Sequence, residues 1–354
     1  MIEVKRFDIQ TIGRVLHEPL PINLKDGRSI VGLHELGAGL SAQWMGDVLH
    51  QTYGRHNLSA SVDQIQQNFE TGRLRPVFIE KEGRPDACAA LVFSPHTIEI
   101  GRAANATEGS GASLLMRRLI EEWKQDTDEH RPLVAETRMA ASFEGIEGGQ
   151  GSQATLLCPE KVGMIPHAFL PAFHHPGPFG PDRQELFGFL SLEKESHKSV
   201  RVGPAFIALP NRPEVNIPLI QSLLHMNGFE TQICTEVEFS SNGNVGLSRK
   251  FTIPFNLLAL DEAGNGFDFE ENQSPFDLLP LSTFDPHLSA YTDVLIENGF
   301  ICAGISAPHD GPLNLLFGRL RKTILAPTEP MRNFPGIPQE MILQVHEQFA
   351  QKMS

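Results

Sequence analysis

Two glycines near residue 110 lie where a helix is predicted to begin, and they favour phosphate binding. The β-branched run 97–100 precedes them and predicts a strand. After them, apolar residues recur at three- to five-residue spacing, which predicts a helix with one buried stripe. The first N–H groups of a helix have no partner within it, and the helix dipole is positive at that end. Gly109 and Gly111 lack a Cβ, so a phosphate can approach their backbone closely. The stripe residues are Leu114, Leu115, Leu119, Ile120 and Trp123, with Arg117, Arg118, Glu121 and Glu122 predicted on the exposed side.

Two familiar phosphate motifs do not fit this segment. A P-loop requires Gly-Lys-Ser/Thr at the start of the helix, and no lysine lies between Gly101 and Arg117. The dinucleotide fingerprint G-x-G-x-x-G fails as well, because Leu114 occupies the position of its third glycine. The phosphate therefore belongs to a different class of ligand.

The segment resembles the pyrophosphate loop of the GNAT superfamily of N-acetyltransferases. That loop reads Q/R-x-x-G-x-G/A, between the fourth strand and the third helix of the family. Gly109-Ser110-Gly111 matches its end, Ser113-Leu114-Leu115 resembles the first helical turn, and Ala106 replaces the family's Gln or Arg. The resemblance implies that acetyl-CoA or another acyl-CoA binds as co-substrate, mainly through backbone N–H groups. The implied cofactor-binding residues are Arg102, Ala103 and Ala104 along the pantetheine arm, and Gly109, Ser110, Gly111, Ala112 and Ser113 at the pyrophosphate.

A second segment, residues 151–164, resembles the family's fourth helix, N-x-x-A-x-x-L-Y-x-K-x-G-F. The matching residues are Ala154, Leu157, Lys161 and Gly163, whereas Gly151 replaces Asn and Met164 replaces Phe. Cys158 stands at the position of the tyrosine that commonly protonates the departing CoA thiolate in this family.

Three roles are open for Cys158. A thiol with a pKa of about 8.5 can donate a proton to a thiolate of similar pKa. With a lowered pKa it is instead a nucleophile that carries the acyl group. The structural alternative is a small apolar core residue, since free cysteine is often buried. Pro159 removes a backbone donor from the same helix and predicts a kink there.

Glu99 and Glu136 are the candidate general bases, because they lie on the two strands between which the family places its pantetheine arm. A carboxylate on either strand can take a proton from an incoming ammonium, directly or through water. Glu136 shares its predicted strand face with Arg138, so a purely structural ion pair is the alternative. The loop 140–150 adds Glu144 and Glu147, which form either an acidic rim for a cationic acceptor or a solvated loop.

The histidines His167, His174 and His175 lie near Asp182 and suggest a metal site at first sight. His174 and His175 are adjacent, however, so in a strand they point to opposite faces and do not readily share one ion. A proline-rich loop that lines the substrate site is the preferred interpretation, and no metal is predicted.

Composition limits the class of protein. The chain has 354 residues, 40% of them hydrophobic, and a net charge of −14. This acidity argues against nucleic acid or an anionic membrane as the main partner. We find no apolar run of membrane-spanning length and no signal-peptide core, and the four cysteines are widely spaced. The sequence therefore predicts a cytoplasmic protein with reduced thiols.

The predicted order of elements up to residue 195 is β-α-α-β-β-β-α-β-α-β-β, which is similar to the GNAT order. Residues 1–27 are predicted as an extended arm, 28–195 as a GNAT-like acyl-CoA-binding domain, 196–330 as a smaller α+β domain, and 331–354 as a C-terminal helix. The predicted strands are 28–36, 77–80, 87–94, 97–104, 132–139, 165–173 and 185–193, and the helices cover 41–53, a segment from 61 to a stop at Gly72, the central helix, and 152–162.

The second part contains two helix–glycine–strand joints, at Gly228 and Gly299, which predict two β-α-β units. They suggest a ferredoxin-like or a reduced GNAT-like sheet. The predicted strands are 205–209, 229–240, 247–260, 300–307 and 313–321, the helices are 216–227, 288–298 and 339–353, and the segment 261–277 is predicted as an acidic loop. The sequence 186–190 (LFGFL) resembles 316–320 (LFGRL), which suggests a degenerate tandem repeat without a second pyrophosphate loop.

Together these features predict an α/β (α+β) fold with a GNAT-like mixed sheet flanked by helices. The function that they favour is CoA-dependent transfer of an acyl group, most simply acetyl, to an amine of a small molecule or peptide. A catalytically inactive ligand-binding or interaction protein with the same fold is the alternative, because the motifs lack the family's Tyr, Asn and Gln/Arg. A homodimer is compatible with the sequence.

Overall fold

The computed structural model describes residues 8–53, 61–95, 97–107, 111–138, 163–171, 186–194, 203–235, 276–306, 313–320 and 336–352. Within these ranges the helices are α1 Ile9–His17, α2 Leu33–Leu36, α3 Ala38–Tyr53, α4 Val62–Glu70, α5 Ala112–Gln125, α6 Ile217–Met226, α7 Leu288–Glu297 and α8 Gln339–Gln351. The strands are β1 Ile22–Asn23, β2 Arg28–Gly32, β3 Leu74–Lys81, β4 Arg84–Phe93, β5 Ile98–Asn105, β6 Leu133–Arg138, β7 Ile165–Pro171, β8 Leu186–Leu192, β9 Phe206–Ala208, β10 Gln232–Cys234, β11 Phe276–Ser282, β12 Ile301–Ser306 and β13 Asn314–Leu320.

One 11-stranded sheet runs through both parts of the chain, in the order β1-β2-β3-β4-β5-β6-β8-β7-β12-β13-β11. All neighbours in it are antiparallel except β5 and β6, which are parallel and are connected by α5. A parallel pair needs such a crossover, because a tight hairpin can join only antiparallel strands. Strands β9 and β10 form a separate parallel pair around α6. The predicted mixed α/β sheet flanked by helices is confirmed.

The two parts of the chain meet where β7 pairs with β12, at Ala168 and Gly304. Each of these strands carries a bulge next to this pair. Asn216 donates its side-chain N–H to Cys302 O at 2.8 Å, and Asn227 donates to Pro166 O at 3.1 Å. These two asparagines flank α6, so one helix binds a carbonyl beside each bulge and ties the two parts together. The predicted division at residue 195 stays a prediction.

The second part repeats a strand order of the first. In the first part β8 lies between β6 and β7, and in the second β13 lies between β11 and β12. The sequence resemblance between 186–190 and 316–320 falls in these two middle strands. The two glycines of this resemblance are not in structural register, however. Gly188 lies one position before Phe189, the partner of Ala168. Gly318 lies two positions after Leu316, the partner of Gly304. The repeat is therefore one of topology more than of aligned sequence.

Four sequence predictions are wrong. The predicted strand 28–36 ends at Gly32, and Leu33–Leu36 forms the helix α2 instead. The first 27 residues are not an extended arm throughout, because α1 forms there with Asp8 as its N-cap, accepting from Thr11 N at 2.6 Å. Arg118 is not exposed: it is 8% exposed and donates to Val15 O at 2.8 Å and to Glu18 O, at the end of α1.

The fourth wrong prediction is the end of the acidic loop 261–277, where Asp277 instead lies buried within β11. Its direct cross-strand partner is Arg319 of β13, which donates Nη2 to Asp277 Oδ2 at 2.7 Å. A buried carboxylate is tolerable in a strand only with such a partner. The sequence shows the acidic residue but not the arginine opposite it.

Candidate functional site

The junction between β5 and α5 has the predicted strand–turn–helix geometry. Strand β5 ends at Asn105 and α5 begins at Ala112, with Gly111 as its N-cap. Gly111 has φ +116°, a backbone conformation that strongly favours glycine. Gly109 and Ser110, the other residues of the predicted pyrophosphate loop, lie outside the described residues.

Strands β5 and β6 separate immediately after they meet. They pair only at Ile98–Leu133 and Glu99–Val134, and beyond this point β5 pairs with β4 while β6 pairs with β8. The space between the diverging strands, from Gly101 to Asn105 on β5 and from Ala135 to Arg138 on β6, is called the wedge below. The predicted pantetheine residues Arg102, Ala103 and Ala104 form its β5 side. An extended ligand could therefore lie between the two strands as an additional strand would.

A β-bulge bends β5 along the wedge. Arg102 and Ala103 together oppose Ala89 of β4, and Arg102 has φ +54°. A bulge increases the local bend of a strand, and this one lies in the part of β5 beyond its last pair with β6. Cys88 of β4 donates its thiol hydrogen to Arg102 O at 3.2 Å, and burial raises the pKa of this thiol to about 12. Cys88 therefore supports the bulge as a neutral thiol.

Asn105 is a site residue that the sequence analysis did not identify. Its side-chain Oδ1 accepts from Gly111 N at 3.1 Å and from Ala112 N at 2.8 Å. The residue is 8% exposed. It thus binds two of the N–H groups that were predicted to face the pyrophosphate. Asparagine favours such contacts with nearby backbone, so an asparagine at a strand end before a glycine turn was the available signal.

The backbone at the start of the loop is held from two sides. Thr52 at the end of α3 donates to Asn105 O at 2.9 Å, and Gln51 donates to Ala106 O at 2.8 Å. On the other side, Ala106 N donates to Asp86 O at 2.8 Å and Thr107 donates to the Asp86 carboxylate at 2.7 Å. The loop therefore leaves β5 in a fixed direction.

Glu99 and Glu136 lie on the same face of the sheet, on the two strands that border the wedge. Glu99 pairs directly with Val134, and Glu136 is two positions further along β6, so strand alternation gives all three the same side. The neighbours Ile98, Ile100 and Ala135 belong to the core cluster that contains α5, so α5 covers the opposite face. Both glutamates are half-buried.

Glu99 lies at the closed end of the wedge. A Cβ placed on Gly101 would come within 2.7 Å of Glu99 Oε1, so this carboxylate lies over Gly101. Glycine at position 101 leaves room for the Glu99 carboxylate in its present rotamer. The catalytic roles of Glu99 and Glu136 stay predictions, and the side chain of Arg138, the predicted partner of Glu136, lies outside the described residues.

Several other predicted site features also lie outside the described residues. They are Cys158 with the helix 152–162, the acidic loop 140–150, and His174, His175 and Asp182. His167 is described: it is 7% exposed and forms a hydrogen bond with Ser191 of β8. Within the described ranges no three side chains of His, Cys, Asp or Glu are grouped as metal ligands.

Comparison with solved structures finds similarity to acetyltransferases over about half of the chain. A protein named as an acetyltransferase of the GNAT family, from Desulfovibrio desulfuricans, is 18% identical, with a TM-score of 0.33, over 47% of this chain and 98% of that one. YncA of Salmonella typhimurium, named as an acetyltransferase and solved with acetyl-CoA, is 15% identical with a TM-score of 0.34, over 48% of this chain and 96% of that one. RimL, a ribosomal L7/L12 α-N-protein acetyltransferase solved with coenzyme A, is 10% identical with a TM-score of 0.35, over 50% of this chain and 99% of that one.

No protein-family model and no curated protein sequence matches the chain. None of the described helices combines the length and the apolar character that a membrane span requires.

Proposed function

We propose that this protein is an acyl-CoA-dependent N-acyltransferase, with acetyl-CoA or another acyl-CoA as co-substrate and an amine as acceptor. One observation carries the proposal: β5 and β6 pair at two positions and then diverge, directly before a glycine turn that opens α5. The wedge has strand backbone on two sides of an extended space, and the start of α5 offers positive potential at the open end of the wedge. A ligand with an extended arm that ends in phosphates needs both features, the space for its arm and the positive potential for its phosphates.

The pantetheine arm would lie in the wedge along Arg102, Ala103 and Ala104, with the acyl group towards Glu99 at the closed end. The pyrophosphate would lie at Gly111, Ala112 and Ser113 and at the residues before them. A general base is needed to take the proton from the acceptor ammonium. Glu99 and Glu136 border the wedge on one face, so an acceptor amine that approaches from that face reaches both the acyl group and a carboxylate.

Titration calorimetry of the purified protein with CoA and acetyl-CoA tests this proposal. The unmodified protein should bind both, and Gly111→Trp should abolish binding, because the indole would fill the phosphate position. Gly72→Trp is the matched control: Gly72 also has positive φ, at +69°, and lies in open space after α4. Both variants strain the backbone, but only Gly111→Trp should lose the ligand. Absence of CoA binding by the unmodified protein would refute the proposal.

The second candidate is a protein that binds the cofactor or a related ligand without catalysis. It is favoured by Ala106 at the family's Gln/Arg position and by Cys158 at its Tyr position. Release of free CoA thiol from acetyl-CoA, followed with a thiol reagent across a panel of amines, separates the two. A catalyst releases thiol in proportion to one class of amine, whereas a binding protein shows saturable affinity and no amine-dependent release.

A further inference from the structure

We propose that the side chain of Asn105 competes with the pyrophosphate of CoA for the N–H groups of Gly111 and Ala112 at the start of α5, and is displaced from them when CoA binds. The side chain of Asn105 would then set the affinity of the site for its co-substrate. This inference rests on the proposed function, and it adds a residue whose role the family motif does not include.

The hydrogen bonds of Asn105 place it on the donors that a phosphate requires. Its amide oxygen accepts from Gly111 N at 3.1 Å and from Ala112 N at 2.8 Å. These contacts span six and seven positions along the chain, so the side chain reaches across the loop to the helix. The amide oxygen therefore lies where the partial positive charge of α5 is greatest.

A phosphate is the stronger acceptor for the same groups. Hydrogen bonds to an ionised oxygen are roughly twice as strong as those between neutral groups, and the helix dipole adds to this preference. The neutral amide of Asn105 satisfies the buried donors in the absence of ligand, since buried unpaired N–H groups are costly. It can then be displaced by a charged ligand.

The exchange does not require the strand end to move. The backbone carbonyl of Asn105 is held by Thr52, and the next residue is held by Gln51 and Asp86, all through contacts that do not involve the Asn105 side chain. Rotation of the Asn105 side chain alone therefore releases Gly111 N and Ala112 N, while β5 and its bulge keep their positions.

Two substitutions at position 105 should change stability and CoA affinity in opposite directions. Asn105→Ala removes the internal acceptor, so the ligand-free protein should melt at a lower temperature and bind CoA about tenfold more tightly. A tenfold gain corresponds to a capping interaction of ordinary strength. With such an interaction, Asn105 leaves the N–H groups of Gly111 and Ala112 available to a ligand in about one molecule in ten. Asn105→Asp places a carboxylate on the same N–H groups, so the melting temperature should rise while CoA binds at least tenfold more weakly, through a stronger internal contact and repulsion of the phosphates.

The experiment is thermal melting without ligand and calorimetry with CoA for the unmodified protein, both Asn105 variants and Thr292→Ala. Thr292 is fully buried in α7 and donates its hydroxyl to Leu288 O at 2.8 Å. Thr292→Ala should lower the melting temperature through lost packing without tighter CoA binding, so it tests whether destabilisation alone raises affinity.

The pattern of opposite changes supports the exchange. If Asn105→Ala binds CoA more weakly than the unmodified protein or equally well, Asn105 only orders the loop and the inference is overturned, while the proposed function stands. If Asn105→Ala does not fold, Asn105→Asp alone decides, because unchanged or tighter binding by that variant also overturns the inference. If the unmodified protein binds no CoA, the proposed function fails first.

Discussion

Replacing Gly304 by alanine should open the junction between β7 and β12 and lower the free energy of unfolding by about 3 kcal/mol, the upper end of the usual cost of overpacking. A Cβ at this position would lie 2.3 Å from His167 O and 2.4 Å from both the Cα and the Cβ of Ala168. Favourable carbon–carbon contacts lie at about 3.5–4.0 Å. The strands would therefore have to separate by more than an ångström at their one described pair.

The surrounding atoms offer little relief. Two of the three contacts are backbone atoms of β7, and the two bulges beside the junction are tied by Asn216 and Asn227 to opposite ends of α6. A flexible side chain could move away from the new methyl group, but these strands cannot do so without losing those bonds. Gly304→Val should be more damaging than Gly304→Ala for the same reason.

Urea unfolding followed by tryptophan fluorescence and far-UV circular dichroism measures the effect. Gly13→Ala is the matched control, since Gly13 lies inside α1 with open space at its Cβ position, and the same substitution there should stabilise by about 0.5–1 kcal/mol. CoA affinity of folded Gly304→Ala should stay within a factor of two, because the wedge lies on β5 and β6 and not at the junction. An unfolding midpoint equal to that of the unmodified protein would refute the close approach of β7 and β12.

Three further outcomes are expected. If Cys158 protonates the CoA thiolate, Cys158→Ser should slow turnover by about 10²-fold with unchanged CoA affinity. An acyl-enzyme detected by mass spectrometry would show that Cys158 is a nucleophile instead. Unchanged turnover per folded molecule would remove Cys158 from the mechanism. Burial lowers the pKa of His346 on α8, against a smaller opposing effect of Glu347. The neutral form of His346 is therefore favoured in the folded state. Its contribution to the free energy of unfolding is complete above about pH 6.5 and is lost as the pH falls below that value. His346→Gln should weaken this pH dependence in urea titrations from pH 7.5 to 5. Arg319→Met should lower the free energy of unfolding by about 3 kcal/mol, since it leaves the Asp277 carboxylate buried without its ion pair; the Asp277→Asn, Arg319→Met double variant should recover part of this loss.

Local patterns were sufficient for most helices and strands. The apolar stripe of the central helix and the glycines that end α6 and α7 gave boundaries within a few residues of those observed, for example Ala112–Gln125 for α5. Gly228 and Gly299 have φ of +75° and +83°, so the predicted glycine caps are confirmed. These features are readable because a buried helix face has a period of 3.6 residues and because glycine tolerates positive φ.

The same reasoning located the turn of the candidate site but not its chemistry. The sequence indicated a glycine turn before α5 and two carboxylates on the neighbouring strands, and the structure shows Glu99 and Glu136 on one face beside the wedge. The sequence could not indicate that Asn105 binds the first N–H groups of α5, because that contact depends on how the chain between Asn105 and Gly111 folds back. The roles of Cys158 and of the loop 140–150 stay predictions.

What the sequence determined by itself is the local part of the structure: which segments form helices, where glycine turns end them, and where a glycine turn opens the central helix. The tertiary structure alone decided which distant segments meet. Arg118 became a cap for α1, Asp277 became a strand residue opposite Arg319, and Gly304 became the point where β7 and β12 join one sheet. Each depends on a partner at least 40 positions away in sequence. Local propensity has no information about such a partner, since burial, pairing and charge compensation arise only once the chain has brought the two together.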